Sequence, residues 1–324
     1  MHFVRAILAH LSRRGVDEAA LLHAAGIPPA LVHHAEARVS ARRYADLQTA
    51  AILALEDELV GHGPTPVPVG SFAAMCHWAI HAPHLAGALH RLVRFYGFLG
   101  RGLVPRLERD ERRVVLAVEA VGGAAGPYAY ELFLFAAHRL LCWLARERVP
   151  LVGVEMPFPA PPHQREYRNL FYAFPVRFAA PRAALSFAAD TLAAPIRREP
   201  AELRRLLRHP LYEFIVQDLD RTSWGARVMA ELHRDPQRLN TLPAVAARLG
   251  VAAHTLRRRL LAEGHRFAEL KRQARRDLAI HHLSTGDRTV EEVAAASGFS
   301  EASAFIRAFR RWTGVTPARY RRAH

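Results

Sequence analysis

Two arginines in this 324-residue chain stand where a side chain could read a DNA base. Arg258 lies midway between Leu256 and Leu260, and Arg307 lies midway between Phe305 and Phe309. Large apolar residues four apart mark the buried face of a helix, so the positions left over face outward. An outward arginine presents a planar, permanently charged fork that can bond O6 and N7 of a guanine together. His254, Thr255 and Arg257 share the outer positions around Arg258. Ala302, Ser303 and Ile306 share those around Arg307, with Glu301 at the helix start. Base contact is the expectation for this set. The bland alternative is a solvated face that touches only phosphates, where half or more of protein–DNA hydrogen bonds go. Ile306 suits either a thymine methyl or packing. Arg310, Arg311 and Arg322 are expected at phosphates or in solvent, and Trp312 and Tyr320 in a core.

The elements that must hold these residues are written twice, 48 residues apart. The first copy reads Thr241, Leu242, Val245, Ala246, Gly250, Val251, and the second reads Thr289, Val290, Val293, Ala294, Gly298, Phe299. Each has a Thr suited to capping a helix, apolar residues on a 3.6-residue period, and a Gly where the chain must turn. A second amphipathic helix follows each Gly. That is a helix-turn-helix, whose second helix enters the major groove. Charge agrees: residues 225–324 hold 19 Lys+Arg against 9 Asp+Glu, so this stretch supplies +10 of the total +15. A patch of that sign attracts a polyanion through release of its counterions. Lys271 is the only lysine, and 44 of the 45 basic side chains are arginine, a bias that reflects genome composition as much as function.

The stretch Ala294-Ala295-Ala296-Ser297-Gly298-Phe299-Ser300, then Phe305, Arg307, Phe309, Gly314, Pro317, Tyr320 and Arg321, resembles the C-terminal signature of AraC/XylS-type transcriptional regulators. The resemblance covers the last hundred residues without a gap. It implies seven helices forming two helix-turn-helix units, near 241–262 and 289–312, joined by a long helix over about Arg266 to Ser284. At 1.5 Å per residue that helix spans roughly 28 Å. Such a length suits two recognition helices about one DNA turn, roughly 34 Å, apart on the duplex.

The preceding residues are enough for a separate domain. The expected division is 1–205 for effector binding and dimerisation, 206–224 for a linker broken by Pro210, and 225–324 for DNA. Parts of the linker region, Ala201 to Arg208 and Leu211 to Leu219, also suit helices packed on either domain. Short helices are expected from Val4 to Gly61, then over Ser71 to Ala82 and Leu85 to Leu99. Strands are expected at Val104–Glu108 and Arg113–Glu119, and later at Val149–Met156, Pro175–Phe178 and Ala184–Phe187. Between them Tyr128 to Arg146 is a helix apolar nearly all round. The fold class expected is therefore an α+β domain followed by an all-α domain. Pro68-Val69-Gly70-Ser71-Phe72, Leu85 to Tyr96, His138-Arg139-Leu140-Leu141-Cys142-Trp143 and Phe178-Ala179-Ala180-Pro181-Arg182 resemble the effector-binding region of one AraC subgroup. That subgroup is helical and α+β, whereas a cupin-type sensor would open with regularly spaced strands. One departure is Asp190, which sits three residues after Phe187, where the subgroup more often has an acid directly after the Phe.

Phe72, Trp78, Phe95, Phe133, Arg139 and Trp143 are the candidate effector-binding residues, with Phe98 and Phe135 among the neighbouring aromatics. Packing in the core is the competing and commoner role of such residues. Arg139 needs a partner if buried, either a ligand carboxylate or one of Glu131, Glu147 and Glu155. Cys76, His77, His81 and His84 lie close in sequence, but Pro83 interrupts the helix, and the expectation is no metal and no cofactor. Two cysteines suggest reduced, inert thiols in the cytoplasm. No stretch reads as a signal peptide or a membrane span. Hydrolase elbow, P-loop and dinucleotide fingerprints are all missing, and a methyl-accepting repair protein would need four cysteines, so no enzyme is expected. The function expected is a sequence-specific regulator that activates a promoter in response to a small molecule. Its expected partners are double-stranded promoter DNA, an unidentified effector, RNA polymerase and a second copy of the chain. The alternative is an architectural DNA-binding dimer that senses nothing.

Overall fold

A computed structural model describes residues 1–33, 39–172, 174–216, 224–263, 265–285 and 288–322. The N-terminal part opens with α1 (His2–Leu8), α2 (Glu18–Ala24), α3 (Pro29–Val32), α4 (Ala41–Leu55), α5 (Ser71–Ala79) and α6 (Leu85–Leu99). A hairpin follows, β1 (Leu103–Arg109) and β2 (Arg113–Ala120), and then α7 (Pro127–Ala145), β3 (Gly153–Glu155), α8 (Tyr167–Leu170) and β4 (Ala183–Ala188). Next come α9 (Pro200–Leu206) and α10 (Pro210–Val216). The C-terminal helices are α11 (Trp224–Arg234), α12 (Leu242–Arg248), α13 (Ala253–Ala262), α14 (Phe267–Thr285), α15 (Val290–Ala296), α16 (Ala302–Thr313) and α17 (Pro317–Arg322). The chain is thus an α+β N-terminal part followed by an all-α C-terminal part carrying both helix-turn-helix units.

The strands form one antiparallel sheet in the order β1-β2-β4-β3. The tight connection between β1 and β2 closes on Asp110, whose carboxylate accepts the Arg112 and Arg113 amides at 2.9 and 2.7 Å. Three expectations need correcting. The strand expected over Val149–Met156 is confined to Gly153–Glu155, and Pro150 has no N–H with which to begin it earlier. Residues 175–178 form no strand, only a bridge between Glu155 and Arg177, because Pro175 has no N–H to extend a ladder. The helix expected over Ser71 to Ala82 stops at Ala79, since the ring of Pro83 disfavours helical backbone just before it.

The chain folds into two compact units, one of residues 2–18 and 45–219, the other of residues 1, 19–44 and 220–324. In the first, α7 runs through the core, with Leu134, Leu140, Leu141, Cys142 and Leu144 at 2% exposure or less. A proline at its first turn and Arg146 in a left-handed C-cap at φ 58° delimit it. Part of the stretch expected to link the domains belongs to this core too, since Leu206 and Phe214 are buried in it. In the second unit, residues 19–44 pack with the C-terminal helices rather than with their neighbours in sequence. Arg43, early in α4, donates to the Tyr320 hydroxyl at 2.6 Å and lies over its ring at 5.3 Å.

Candidate nucleic-acid interface and ligand cavity

Each helix-turn-helix begins with the cap its sequence suggests. Thr241 accepts the Ala244 amide at 3.3 Å. Thr289 and Glu292 form a reciprocal capping box, at 3.1 and 2.7 Å. The turns pass through Gly250 at φ 69° and Gly298 at φ 79°, left-handed conformations in which glycine carries no Cβ penalty. Val228, Leu232, Val245, Leu256, Leu260 and Leu270 form the core of the first unit. In the second, Phe305 packs against Phe299 and Phe309, and Phe309 meets Tyr320 edge-on at 5.3 Å. Tyr320 is fully buried, and Trp312 packs on Phe299 with the ring centroids 5.8 Å apart.

Packing in this way fixes which residues face out. His254, Arg257 and Arg258 on α13 are exposed, and Thr255 is half-buried. Glu301, Ser303, Ile306, Arg307, Arg310 and Arg311 on and before α16 are exposed, with Ala302 half-buried. At 100° per residue Arg258 and Arg307 each stand opposite the buried pair that flanks them. Arg310 lies about one turn beyond Arg307 on that same side. Arg259 has a different role: like Arg227 it lies over the Trp224 ring, each guanidinium 4.2 Å from the centroid. Arg275 is likewise engaged, donating to the Gly298 carbonyl at 2.5 Å.

The unit of residues 2–18 and 45–219 contains a cavity of about 250 Å³. Ile52, Leu59, Val67, Phe72, Met75, Leu92, Leu132 and Phe133 form much of its wall, and α10 closes one side with Leu211 and Phe214. Among the described residues, the polar side chains that line it are Gln48, Glu58 and Tyr96. Glu58 accepts the Gly70 and Phe72 amides at the start of α5, at 2.8 and 2.9 Å. Those bonds favour the carboxylate, but burial outweighs them and pushes its pKa up to about 7. Gln48 is 2% exposed. Its Oε1 accepts the Tyr128 hydroxyl at 2.6 Å, while its Nε2 finds no partner among the described residues. A buried amide donor left without an acceptor costs about 1–3 kcal/mol.

Of the six candidate effector residues, only Phe72 and Phe133 reach this cavity. Trp78 is 40% exposed with Arg94 over its ring. Phe95 packs edge-on against Tyr96, and Trp143 lies under the Arg198 guanidinium. Arg139 lies over the Tyr172 ring at 3.9 Å and donates to the Leu170 carbonyl. The carboxylates expected to partner it are engaged elsewhere: Glu131 with Tyr167, Glu147 with Arg197, Glu155 with Arg177 and Arg182. The aromatic face and the carbonyl offset part of the cost of burying this guanidinium. Glu58, Gln48 and the α10 residues escaped sequence reasoning, since no motif marks a lone acid or amide as facing a cavity. Cys76, His77, His81 and His84 do not converge. Cys76 is buried, His77 and His81 are exposed, and His84 caps α6 by accepting the Gly87 amide at 3.0 Å.

Residues 15–196 match the family described as "Arabinose-binding domain of AraC transcription regulator, N-term". That match takes in more than half of the chain. The protein belongs to the AraC-type transcription regulators. Residues 245–323 of the regulator match the family described as "Helix-turn-helix domain". Over 99% of its length it is 27% identical to the ornithine utilization regulator of Pseudomonas aeruginosa, covering 95% of that protein. It is 41% identical over 24% of its length to the HTH-type transcriptional regulator VirS of Mycobacterium tuberculosis, covering 23% of that chain. Among solved structures, the transcriptional regulator CdpR from Pseudomonas aeruginosa aligns with 98% of this chain and 97% of its own, at 20% identity and a TM-score of 0.30. These relatives are transcription regulators, and no helix among the described residues is long and apolar enough to cross a membrane.

Proposed function

We propose that this AraC-type regulator reads double-stranded promoter DNA through the outer faces of α13 and α16 and activates transcription when a small molecule fills the cavity beside α7. The placement of Arg258 and Arg307, each exposed opposite a buried pair, carries the DNA part of this reading. Residues 225–324 supply the basic charge that brings the polyanion in. Arg257, His254, Thr255, Ser303 and Ile306 complete the base-reading face, and Arg310 and Arg311 hold phosphates. The proposal includes a cytoplasmic homodimer that recruits RNA polymerase. Phe98, 94% exposed near the end of α6, is the apolar side chain such a dimer contact would cover.

The unpartnered Gln48 Nε2 is what favours a sensor over a purely architectural binder. A ligand acceptor placed there satisfies a donor that the protein leaves buried. The effector is a small, mainly apolar molecule with an acceptor for Gln48 and a donor for Glu58, since the cavity of about 250 Å³ falls just below the roughly 300–1,000 Å³ usual for ligand pockets. A sugar, with a hydroxyl on nearly every carbon, would lose most of its hydrogen bonds against such a wall. Free ornithine fits no better, because no lysine or arginine among the described residues lines the cavity to receive its carboxylate. The test is a thermal-shift screen of small apolar alcohols, amines and amides on the full-length protein, followed by gel shifts on a site selected from random DNA. Hits that stabilise the wild type but not Gln48→Leu support the reading. A footprint unmoved by every stabilising compound would establish the architectural alternative.

A further inference from the structure

Outside the cavity, His2 in α1, Glu131 in α7 and His163 before α8 each place one nitrogen or oxygen within 4.8 Å of the others. Glu131 is 2% exposed. Among the described residues its one hydrogen-bond partner is the Tyr167 hydroxyl, which donates to Oε1. The other oxygen, Oε2, is buried without a partner, and so is His163 Nε2. The two imidazoles stack with centroids 3.2 Å apart and planes inclined by 22°.

We infer that His2, Glu131 and His163 form a binding site for one divalent transition-metal ion of the zinc type. A carboxylate oxygen and an imidazole nitrogen, both buried without a partner and close together, are a pair that one cation can satisfy by taking a lone pair from each. Two imidazoles and one carboxylate are a zinc donor set; the stacked His2 and His163 rings would turn about their side-chain torsions to bring both lone pairs onto the ion. Tyr167 holds the carboxylate through Oε1, the orienting role that outer groups take at metal sites, and leaves Oε2 free to ligate. The three ligands come from segments far apart in sequence, so the ion ties α1 to α7 and to the turn before α8. It lies apart from the Cys76 and His77 region and from the effector cavity.

The experiment uses the full-length protein, freed of metal by chelator and dialysis and then titrated with Co²⁺ and Zn²⁺. One equivalent of Co²⁺ should give visible ligand-field absorption that Zn²⁺ abolishes. Glu131→Gln, His163→Gln and His2→Gln should each weaken that binding at least ~10-fold, a loss that even outer ligand partners produce. His77→Gln should leave it unchanged, which separates the site from surface histidines among the 19 in the chain. If Glu131→Gln fails to fold, His2→Gln at a half-buried position decides. Affinity unchanged in His2→Gln and His163→Gln, or no absorption beyond weak multisite binding, overturns the site and leaves a water as the partner of Glu131. Neither result bears on DNA or effector binding.

Discussion

Replacing each turn glycine by alanine separates two costs that are usually confounded. Gly250 and Gly298 occupy the same place in the two helix-turn-helix units and have nearly the same backbone, φ 69° and 79°. A Cβ on Gly250 would meet nothing within 4 Å, whereas one on Gly298 would sit 2.5 Å from the Pro236 carbonyl oxygen. Gly250→Ala therefore costs only the left-handed strain, about 1–2 kcal/mol. Gly298→Ala adds an overlap that a backbone carbonyl cannot relieve by changing rotamer, a further ~1–3 kcal/mol by analogy with overpacked cores. Gly298 is also pinned from the other side, since its carbonyl accepts from Arg275, whose guanidinium lies 4.9 Å from the Phe299 ring. Native-state hydrogen exchange on the full-length protein reads each unit separately. The reporters are the amides of Val251 and Phe299, bonded to Ala246 and Ala294 at 3.0 and 2.9 Å. Gly298→Ala should lower the opening free energy at Phe299 by about 2–5 kcal/mol, and Gly250→Ala should lower that at Val251 by no more than about 2. Equal losses at the two turns would refute the steric argument and leave only backbone strain.

Four other outcomes follow from the same geometry. Arg258→Ala and Arg307→Ala should each cost about 1–3 kcal/mol on the selected site and relax preference at one or two base pairs, while Arg310→Ala weakens all sequences alike and makes the salt dependence shallower. Equal loss on specific and random DNA in Arg307→Ala would reassign it to a phosphate. Ala136→Phe, which fills the cavity from α7, should abolish any effector-induced thermal shift, and a retained shift would place the effector elsewhere. Burial pushes the His138 imidazole down to about 4, against about 6.5 when unfolded, so its contribution is complete above pH 6.5 and is lost as pH falls toward 4. That loss totals about 3 kcal/mol; urea midpoints at pH 7 and 4.5 should converge in His138→Gln, and an unchanged pH slope would contradict the assignment. Arg43→Ala removes the hydrogen bond to Tyr320 and should weaken the effector's influence on DNA affinity without altering effector binding; a full response in that variant would exclude α4 as a route of coupling.

The C-terminal helices were legible because their determinants are local. A Thr cap, a turn glycine and apolar pairs four apart act within ten residues, so Thr241, Gly250, Leu256 and Leu260 fix which way Arg258 points before any distant contact forms. The long helix ran over Phe267–Thr285, one residue from its expected bounds at each end. What this reasoning missed was the engagement of exposed-looking arginines by aromatic faces. Nothing in the sequence pattern singles out Arg259 or Arg275, yet each lies within 5 Å of a ring, Trp224 and Phe299.

The N-terminal cavity was much less legible, and the reason is combinatorial. Six aromatic or charged residues qualified by type, but which of them faces a void depends on how α4, α5, α7 and α10 close around it, and only Phe72 and Phe133 do. The residues that give the cavity its chemistry are a glutamine and a glutamate, types that ordinarily sit in water. Gln48 is informative only because its Oε1 is held by Tyr128, 80 residues away, which leaves Nε2 buried and unanswered. Glu131 follows the same logic, with Tyr167 holding one oxygen and the other left buried without a partner. In both places a tyrosine hydroxyl fixes one end of a polar side chain and so aims the other. A function of this kind resides in the half of the side chain that the fold does not satisfy, and sequence periodicity carries no record of it. Replacing the tyrosine tests that directly: Tyr128→Phe should free Gln48 Oε1, let the amide rotate, and reduce the dependence of effector binding on Gln48. If Gln48→Leu is as damaging in the Tyr128→Phe background as in the wild type, the tyrosine does not aim the amide and the argument from the orphaned donor fails.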